Sequence, residues 1–269
     1  MSTIHIAGVI PARLSSTRLP RKVLRIINGR PMVEWVWRAA TSCGLMDPVV
    51  VATDSEEVAE VCRERGIPVA MTSAACPSGS DRVRQVARQI EADIYVNIQG
   101  DEPTLTAEFF PPLLALFARP EVEVATLAVR CPPDEIADPN AVKVVTALDG
   151  RALYFSRATI PYDRDGYRGR DPVRDIGRGR DPVSDGSGFT GSRKHLGIYA
   201  YRKAALERFA ALPPSPLELA ERLEQLRLLE NGIALYVAEA PGDTIGVDTE
   251  ADLLRAEAVL MGRTGNLKA

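Results

Sequence analysis

The chain has 269 residues, of which 45% are hydrophobic and 26% charged, proportions that exclude disorder throughout and suit one folded globular unit. No apolar run approaches the roughly 18 residues a membrane span needs, so no transmembrane helix is expected. The net charge of −3 conceals a basic start, because Arg13, Arg18, Arg21, Lys22, Arg25 and Arg30 all precede the first carboxylate. Such a block on an acidic body points to a local anion site and not to a nucleic-acid surface.

In chain order, Ile4–Ile10 reads as a buried strand, and Pro31 opens a helix that ends at Gly44. Pro48–Ala52 is a strand, Ser55–Arg65 a helix stopped by Gly66, and Ile67–Met71 a third strand. Asp81–Ala92 is an amphipathic helix and Ile94–Ile98 a fourth strand. This alternation predicts a three-layer αβα, Rossmann-like fold with a mostly parallel central sheet. Ligands of such sheets bind beyond the carboxyl ends of the strands. Arg13, Asp54 and Asp101 each follow a strand end, so one crevice is expected to collect them. Further on, Val122–Val129, Val142–Leu148, Ala152–Phe155, Leu196–Tyr201 and Ile233–Ala238 read as strands, with helices over Leu217–Glu230 and Glu250–Met261. A single domain over 1–262 with a tail at 263–269 follows, since no linker divides the halves.

Residues 163–193 form a Gly, Asp, Arg and Ser-rich stretch, read as a flexible surface loop, in which RGRDPV at 168–173 recurs at 178–183. Its Gly186–Gly191 run formally matches G-x-G-x-x-G, but no strand precedes it and no helix follows, which rejects a dinucleotide fingerprint. Cysteines 43, 62, 76 and 131 contain no Cys-x-x-Cys pair, and His5 and His195 are the only histidines. A structural zinc site and a disulfide framework are therefore not expected, and a reducing cytoplasm fits. A transit peptide would be broken by Pro11, Pro20 and Pro31.

Three constellations carry chemistry. Arg13 and the run Ser15-Ser16-Thr17-Arg18-Leu19-Pro20-Arg21-Lys22 follow the first strand, and hydroxyls, guanidinium forks and an ammonium suit a triphosphate. Asn97-Ile98-Gln99-Gly100-Asp101-Glu102 leads an apolar strand into two carboxylates, fit to bring Mg2+ to phosphate oxygens or simply to make a turn. Gly246-Val247-Asp248-Thr249 offers a second metal carboxylate, or a helix N-cap in Asp248 or Thr249. Glu221, Glu224 and Gln225 share one face of the expected Leu217–Glu230 helix and so can reach a polyol together.

On these residues the chain resembles the 3-deoxy-D-manno-octulosonate (Kdo) cytidylyltransferases. The matching stretches run nearly end to end: IPARLSSTRLPRKVL (10–24), SGSDR (78–82), VNIQGDEP (96–103), ALYFSRATIP (152–161), HLGIYAYR (195–202), SPLELAERLEQLRLLENG (215–232) and GVDTEADL (246–253). The resemblance implies a cytoplasmic, Mg2+-dependent homodimer that joins CTP and Kdo into CMP-Kdo and pyrophosphate for lipopolysaccharide biosynthesis. It assigns Arg13, Arg18 and Lys22 to the phosphates, Gly79, Ser80 and Gln99 to the nucleotide, and Asp101 and Asp248 to the metal, with Lys22, Arg13, Asp101 and Asp248 the catalytic set. Arg157, His195, Tyr199, Glu224 and Gln225 match the positions around the sugar acid. The chain departs from the family pattern at Arg21, usually Gly, at Cys76, commonly His, and at Ser80, usually Thr. Arg21 adds charge near the triphosphate, and the other two touch the nucleotide side. An 8-amino-Kdo or other sialic-acid-like specificity is the alternative substrate. A non-catalytic nucleotide-binding regulator would require loss of Lys22, Asp101 or Asp248, all of which are present.

Overall fold

A computed structural model describes residues 4–16, 18–76, 78–162 and 191–266. The RGRDPV repeat and the G-x-G-x-x-G run, apart from Gly191, lie outside them. The first half alternates as expected: β1 (Ile6–Pro11), a hairpin of β2 (Ile26–Ile27) and β3 (Arg30–Pro31), α1 (Met32–Ser42), β4 (Val49–Thr53), α2 (Glu56–Glu64), β5 (Val69–Met71), α3 (Gly79–Ala87) and β6 (Ile94–Asn97). The second half holds α4 (Phe110–Ala115), β7 (Val124–Arg130), β8 (Lys143–Thr146), β9 (Ala152–Ser156), β10 (Arg193–Arg202), α5 (Lys203–Ala211), α6 (Pro216–Glu221), α7 (Leu226–Glu230), β11 (Leu235–Glu239) and α8 (Glu250–Asn266). Helix α8 thus runs into the residues expected as a tail.

The main sheet has the order β11-β7-β10-β6-β1-β4-β5, with β8 and β9 added beside β10. Strands β6, β1, β4 and β5 are parallel neighbours, and so are β11 and β7. Strand β10 runs antiparallel to β6, β7 and β8. A β-bulge between Leu196 and Tyr199 shifts its register against β7. Strand β4 is buried along its whole length, as a central parallel strand must be when helices cover both faces.

One sheet face packs Ile10, Val51 and Val96 against Val36 of α1, Val58 of α2 and Phe110 of α4. The other packs Val9, Tyr95 and Tyr199 against Val83 of α3, Phe209 of α5 and Leu226 of α7. A third, smaller cluster joins Leu19, Ile27 and Met32 to Val247, Leu253, Ala256 and Leu260. It fixes α8 against the loop that leaves β1.

The Leu217–Glu230 segment departs from expectation. It is not one helix but α6 and α7, separated at Arg222, whose φ is +55. An unbroken helix would put Leu219, Leu223 and Leu226 on one face. Instead Leu219 is 55% exposed while Leu223 and Leu226 are buried. The break follows from the Ser215–Glu218 capping box at the start and the buried Glu218–Arg227 ion pair across the two pieces. Glu221, Glu224 and Gln225 therefore do not share one unbroken helical face: Glu221 accepts from Ser156 and Glu224 from Ser80, while Gln225 is buried at the start of α7.

Candidate active site

The carboxyl ends of β1 and β6 open into one cleft, lined among others by Arg13, Arg18, Lys22, Gly79, Gln99, Asp101 and Asp248. The loop after β1 is held at its start by Ala12 N–H donating to the Ala52 carbonyl at 2.9 Å. Its middle is pinned by Leu19, 1% exposed in the α8 cluster. Arg21 then turns the chain with φ +57, a conformation that glycine adopts without cost, which accounts for glycine being usual there. Its guanidinium pairs with Glu57 on α2, so the extra charge expected beside the triphosphate has its own counterion.

This turn delivers Lys22 between two carboxylates. Its Nζ donates to Asp101 Oδ2 at 2.6 Å and to Asp248 Oδ1 at 2.9 Å. Arg18 donates to the other Asp248 oxygen at 2.8 Å. Burial opposes the charge on Lys22, but Asp101 and then Asp248 outweigh it and raise its pKa. Asp248 reaches this position because Val247 N–H donates to the Asp101 carbonyl at 2.9 Å. The N-cap alternative is divided between neighbours: Thr249 Oγ1 accepts from Asp252 N–H, and Asp252 Oδ2 accepts from the backbone N–H groups of Asp248 and Thr249. Thr249 caps α8, and the Asp248 carboxylate is left for the cleft. Glu102, the second carboxylate of the constellation at 97–102, is pushed up to about 7 by burial first and by the Asp101 charge second.

On the α3 side, Ser78 caps the helix by accepting from Asp81 N–H, so Gly79 opens α3 against the cleft. Asp54 does stand at a strand end, where it pairs with buried Arg82 at 2.9 Å. Arg82 also donates to Thr72 Oγ1 at 2.6 Å, tying the ends of β4 and β5 to α3. Cys76 lines the cleft beside them. Gln99 Nε2 donates at 3.0 Å to the carbonyl of Gly197, in the β10 bulge. Ser80, expected with the nucleotide residues, is buried and donates instead to Glu224 Oε2 at 2.9 Å.

Ser80 thereby joins the cleft to the residues expected around a sugar acid. Tyr199 is buried, stacks on Tyr201 and meets the His195 ring at a tilt of 49°. His195 sits edge-on to Phe155, with Nε2 3.0 Å from Thr126 Oγ1. Gln225 is buried at the start of α7. Arg157 is the member least free to act as an anion fork. Its Nε donates to the Glu221 carbonyl at 2.8 Å and its Nη1 to the Pro139 carbonyl at 2.9 Å. Glu221 in turn accepts from Ser156 Oγ at 2.5 Å and Arg157 N–H at 3.0 Å.

Beneath them lies Lys143, a fully buried residue that the sequence reading did not single out. Its Nζ donates to the carbonyls of Asp138, Ala141 and Arg157 at 2.7, 2.5 and 2.8 Å. Lys143→Met keeps the stem and removes all three donors. It is expected to cost about 2 kcal/mol or more and to lower the melting temperature by roughly 4 °C or more, read in a thermal melt.

Desolvation lowers the His195 pKa to about 3, so the ring stays neutral at physiological pH. The unfolded chain binds this proton near pH 6.5 and the folded protein does not. The contribution of His195 to stability is therefore complete above about pH 6.5 and falls as acid carries the pH down towards 3. The expected NMR result is a His195 ring signal that does not titrate between pH 8 and 5. An inflection near 6.5 would remove the buried, neutral assignment.

A protein-family model for cytidylyltransferases matches residues 7–238 of the chain. A 3-deoxy-manno-octulosonate cytidylyltransferase of Acidobacterium capsulatum is 61% identical over 263 residues, covering 98% of this chain and 99% of that one. That of Koribacter versatilis is 51% identical over 261 residues, covering 97% and 92%. A solved structure of CMP:2-keto-3-deoxy-manno-octonic acid synthetase complexed with CTP superposes with a TM-score of 0.84 at 38% identity, covering 96% of this chain and 99% of that one. A putative glucose-1-phosphate thymidylyltransferase from Bacillus anthracis, at 17% identity and a TM-score of 0.63, shares the fold.

Proposed function

The chain belongs to the cytidylyltransferase family, and we infer that it transfers CMP from CTP to the anomeric hydroxyl of Kdo, releasing pyrophosphate. The observation that carries this reading is Lys22 held between Asp101 and Asp248 at the mouth of the parallel strands. Arg13 and Arg18 reach the same cleft, where they give the triphosphate its cationic lining.

In the reaction the anomeric hydroxyl of the sugar acid gives up its proton to solvent and its oxygen attacks the α-phosphorus of CTP. The bond from that phosphorus to the bridging oxygen breaks, and pyrophosphate departs with the electron pair. Lys22 meets the negative charge that grows on the phosphoryl oxygens, and Arg13 and Arg18 hold the phosphates in line. No side-chain nucleophile is required. The donor set fits Mg2+: Asp101 and Asp248 are two hard carboxylates already bridged by a cation, and among the described residues no third ligating side chain joins them to make a closed cage. Held by Asp101 and Asp248, such an ion would supply charge neutralisation and a lower pKa for the attacking hydroxyl. Ser80, Tyr199, Glu224 and Gln225 orient the sugar side, and neutral His195 can donate one hydrogen bond to it. CMP-Kdo made this way serves lipopolysaccharide biosynthesis, and a cytoplasmic homodimer completes the reading.

Pyrophosphate release from CTP and Mg2+ tests it, with Kdo and 8-amino-Kdo in parallel and ATP, GTP and UTP as controls. Release with CTP and Kdo is the expected result. Release with the amino sugar alone would keep the chemistry and change the substrate, and CTP binding without release under any condition would overturn the enzyme.

A further inference from the structure

Among the buried polar atoms that have no protein partner among the described residues are Asn97 Oδ1, at the end of β6, and Gln225 Nε2, at the start of α7. Asn97 is 3% exposed and Gln225 6%. An unpaired buried polar group costs stability, so each calls for a reason. Gln225 already belongs to the sugar-side set, but Asn97 was passed over because it ends an otherwise apolar strand.

Its surroundings give the reason. Asn97 is the last residue of β6, paired with Tyr199 of β10 on one side and Val9 of β1 on the other. Its Nδ2 lies 3.8 Å from where a Cβ on Gly79 would stand, and that same point is 3.6 Å from Pro11 Cγ. Pro11 and Gly79 line the nucleotide cleft. Asn97 thus sits at the seam between the cleft and the sugar-side residues. The bridge across the seam is Ser80, next to Gly79 in α3, which donates to Glu224, the neighbour of Gln225. The two unpartnered atoms are of opposite kind: Asn97 offers an acceptor and Gln225 a donor. A polyol satisfies both, since each hydroxyl donates and accepts.

We infer that Asn97 is a further substrate-positioning residue, whose side-chain carbonyl accepts a hydrogen bond from a hydroxyl of the sugar acid. The sugar is favoured over the ribose because the cross-strand neighbour of Asn97 is Tyr199. The inference rests on the function proposed above.

Asn97→Leu separates binding from structure, because it matches the shape closely and removes the unpaired acceptor. Its melting temperature is expected to equal or exceed that of the parent. The KM for Kdo is expected to rise about tenfold, the size of one lost hydrogen bond, while the KM for CTP stays within about twofold. A lower melting temperature with unchanged KM values would make Asn97 structural and overturn the inference. A raised KM for CTP alone would move the contact to the ribose and overturn it equally. Should the leucine variant not fold, Asn97→Asp, checked by circular dichroism, carries the same kinetic criterion. There the added charge opposes an anionic substrate, and an unchanged KM for Kdo would end the proposal. Parent enzyme that releases no pyrophosphate from CTP and Kdo would instead end the functional reading beneath it.

Discussion

Lys22→Ala is expected to lower turnover at saturating CTP and Kdo by about 100-fold or more, read as pyrophosphate release. The ammonium is fixed before substrate arrives, by Asp101 at 2.6 Å and Asp248 at 2.9 Å. A donor held in advance need not reorganise when charge develops on the phosphoryl group, so its loss falls on the transition state. The fold is expected to survive, because Asp101 and Asp248 are 32% and 46% exposed and water screens their repulsion. Lys22→Arg restores little, since a planar fork does not replace a point charge in a slot shaped by two carboxylates. A normal turnover number with a raised KM for CTP would confine Lys22 to holding the ground state.

On the Mg2+ reading proposed above, Asp101→Asn is expected to abolish turnover and to leave the melting temperature nearly unchanged. The substitution keeps the shape of the side chain but replaces a hard anionic ligand with an amide, which holds Mg2+ poorly when only one other carboxylate is present. The structural work at this position is done by the main chain, whose carbonyl accepts from Val247 N–H at 2.9 Å, and the substitution leaves that bond in place. A thermal melt beside a Mg2+ titration of activity makes the measurement. A variant that unfolds would show that Asp101 is held for structure.

The first half of the fold was legible because its strands are short apolar runs punctuated by Gly and Pro, and parallel strands buried on both faces leave that signature. The β2–β3 hairpin was legible too, yet not read. Asn28 and Gly29, with φ of +47 and +77, form the two-residue Asn-Gly turn that joins Ile26–Ile27 to Arg30–Pro31. Nothing local announces that β10 inserts antiparallel between β6 and β7, because its partners lie about 70 and 100 residues away. The break at Arg222 was hidden for a similar reason, since it depends on where Glu218 finds Arg227 and where Leu223 finds the core. The charged residues that the structure brings into the cleft from behind β1 and β6, Arg13, Arg18, Lys22 and Asp101, were readable from charge that follows apolar strands. Lys143 was not, because a lysine that spends its three donors on backbone carbonyls looks in sequence like any other. Asn97 stayed hidden because its role shows only in a missing partner.

Leu19, between the cleft-lining cations Arg18 and Lys22, is covered by Val247, Leu253, Ala256 and Leu260. Lys22 and Arg25 find their acidic partners at Asp248 and Glu250. The earliest functional segment of the chain is thus anchored by its last helix. A chain shortened before residue 247 is therefore expected to lose the cover of Leu19 and the acidic partners of Lys22 and Arg25, and with them the seat of the loop that follows β1.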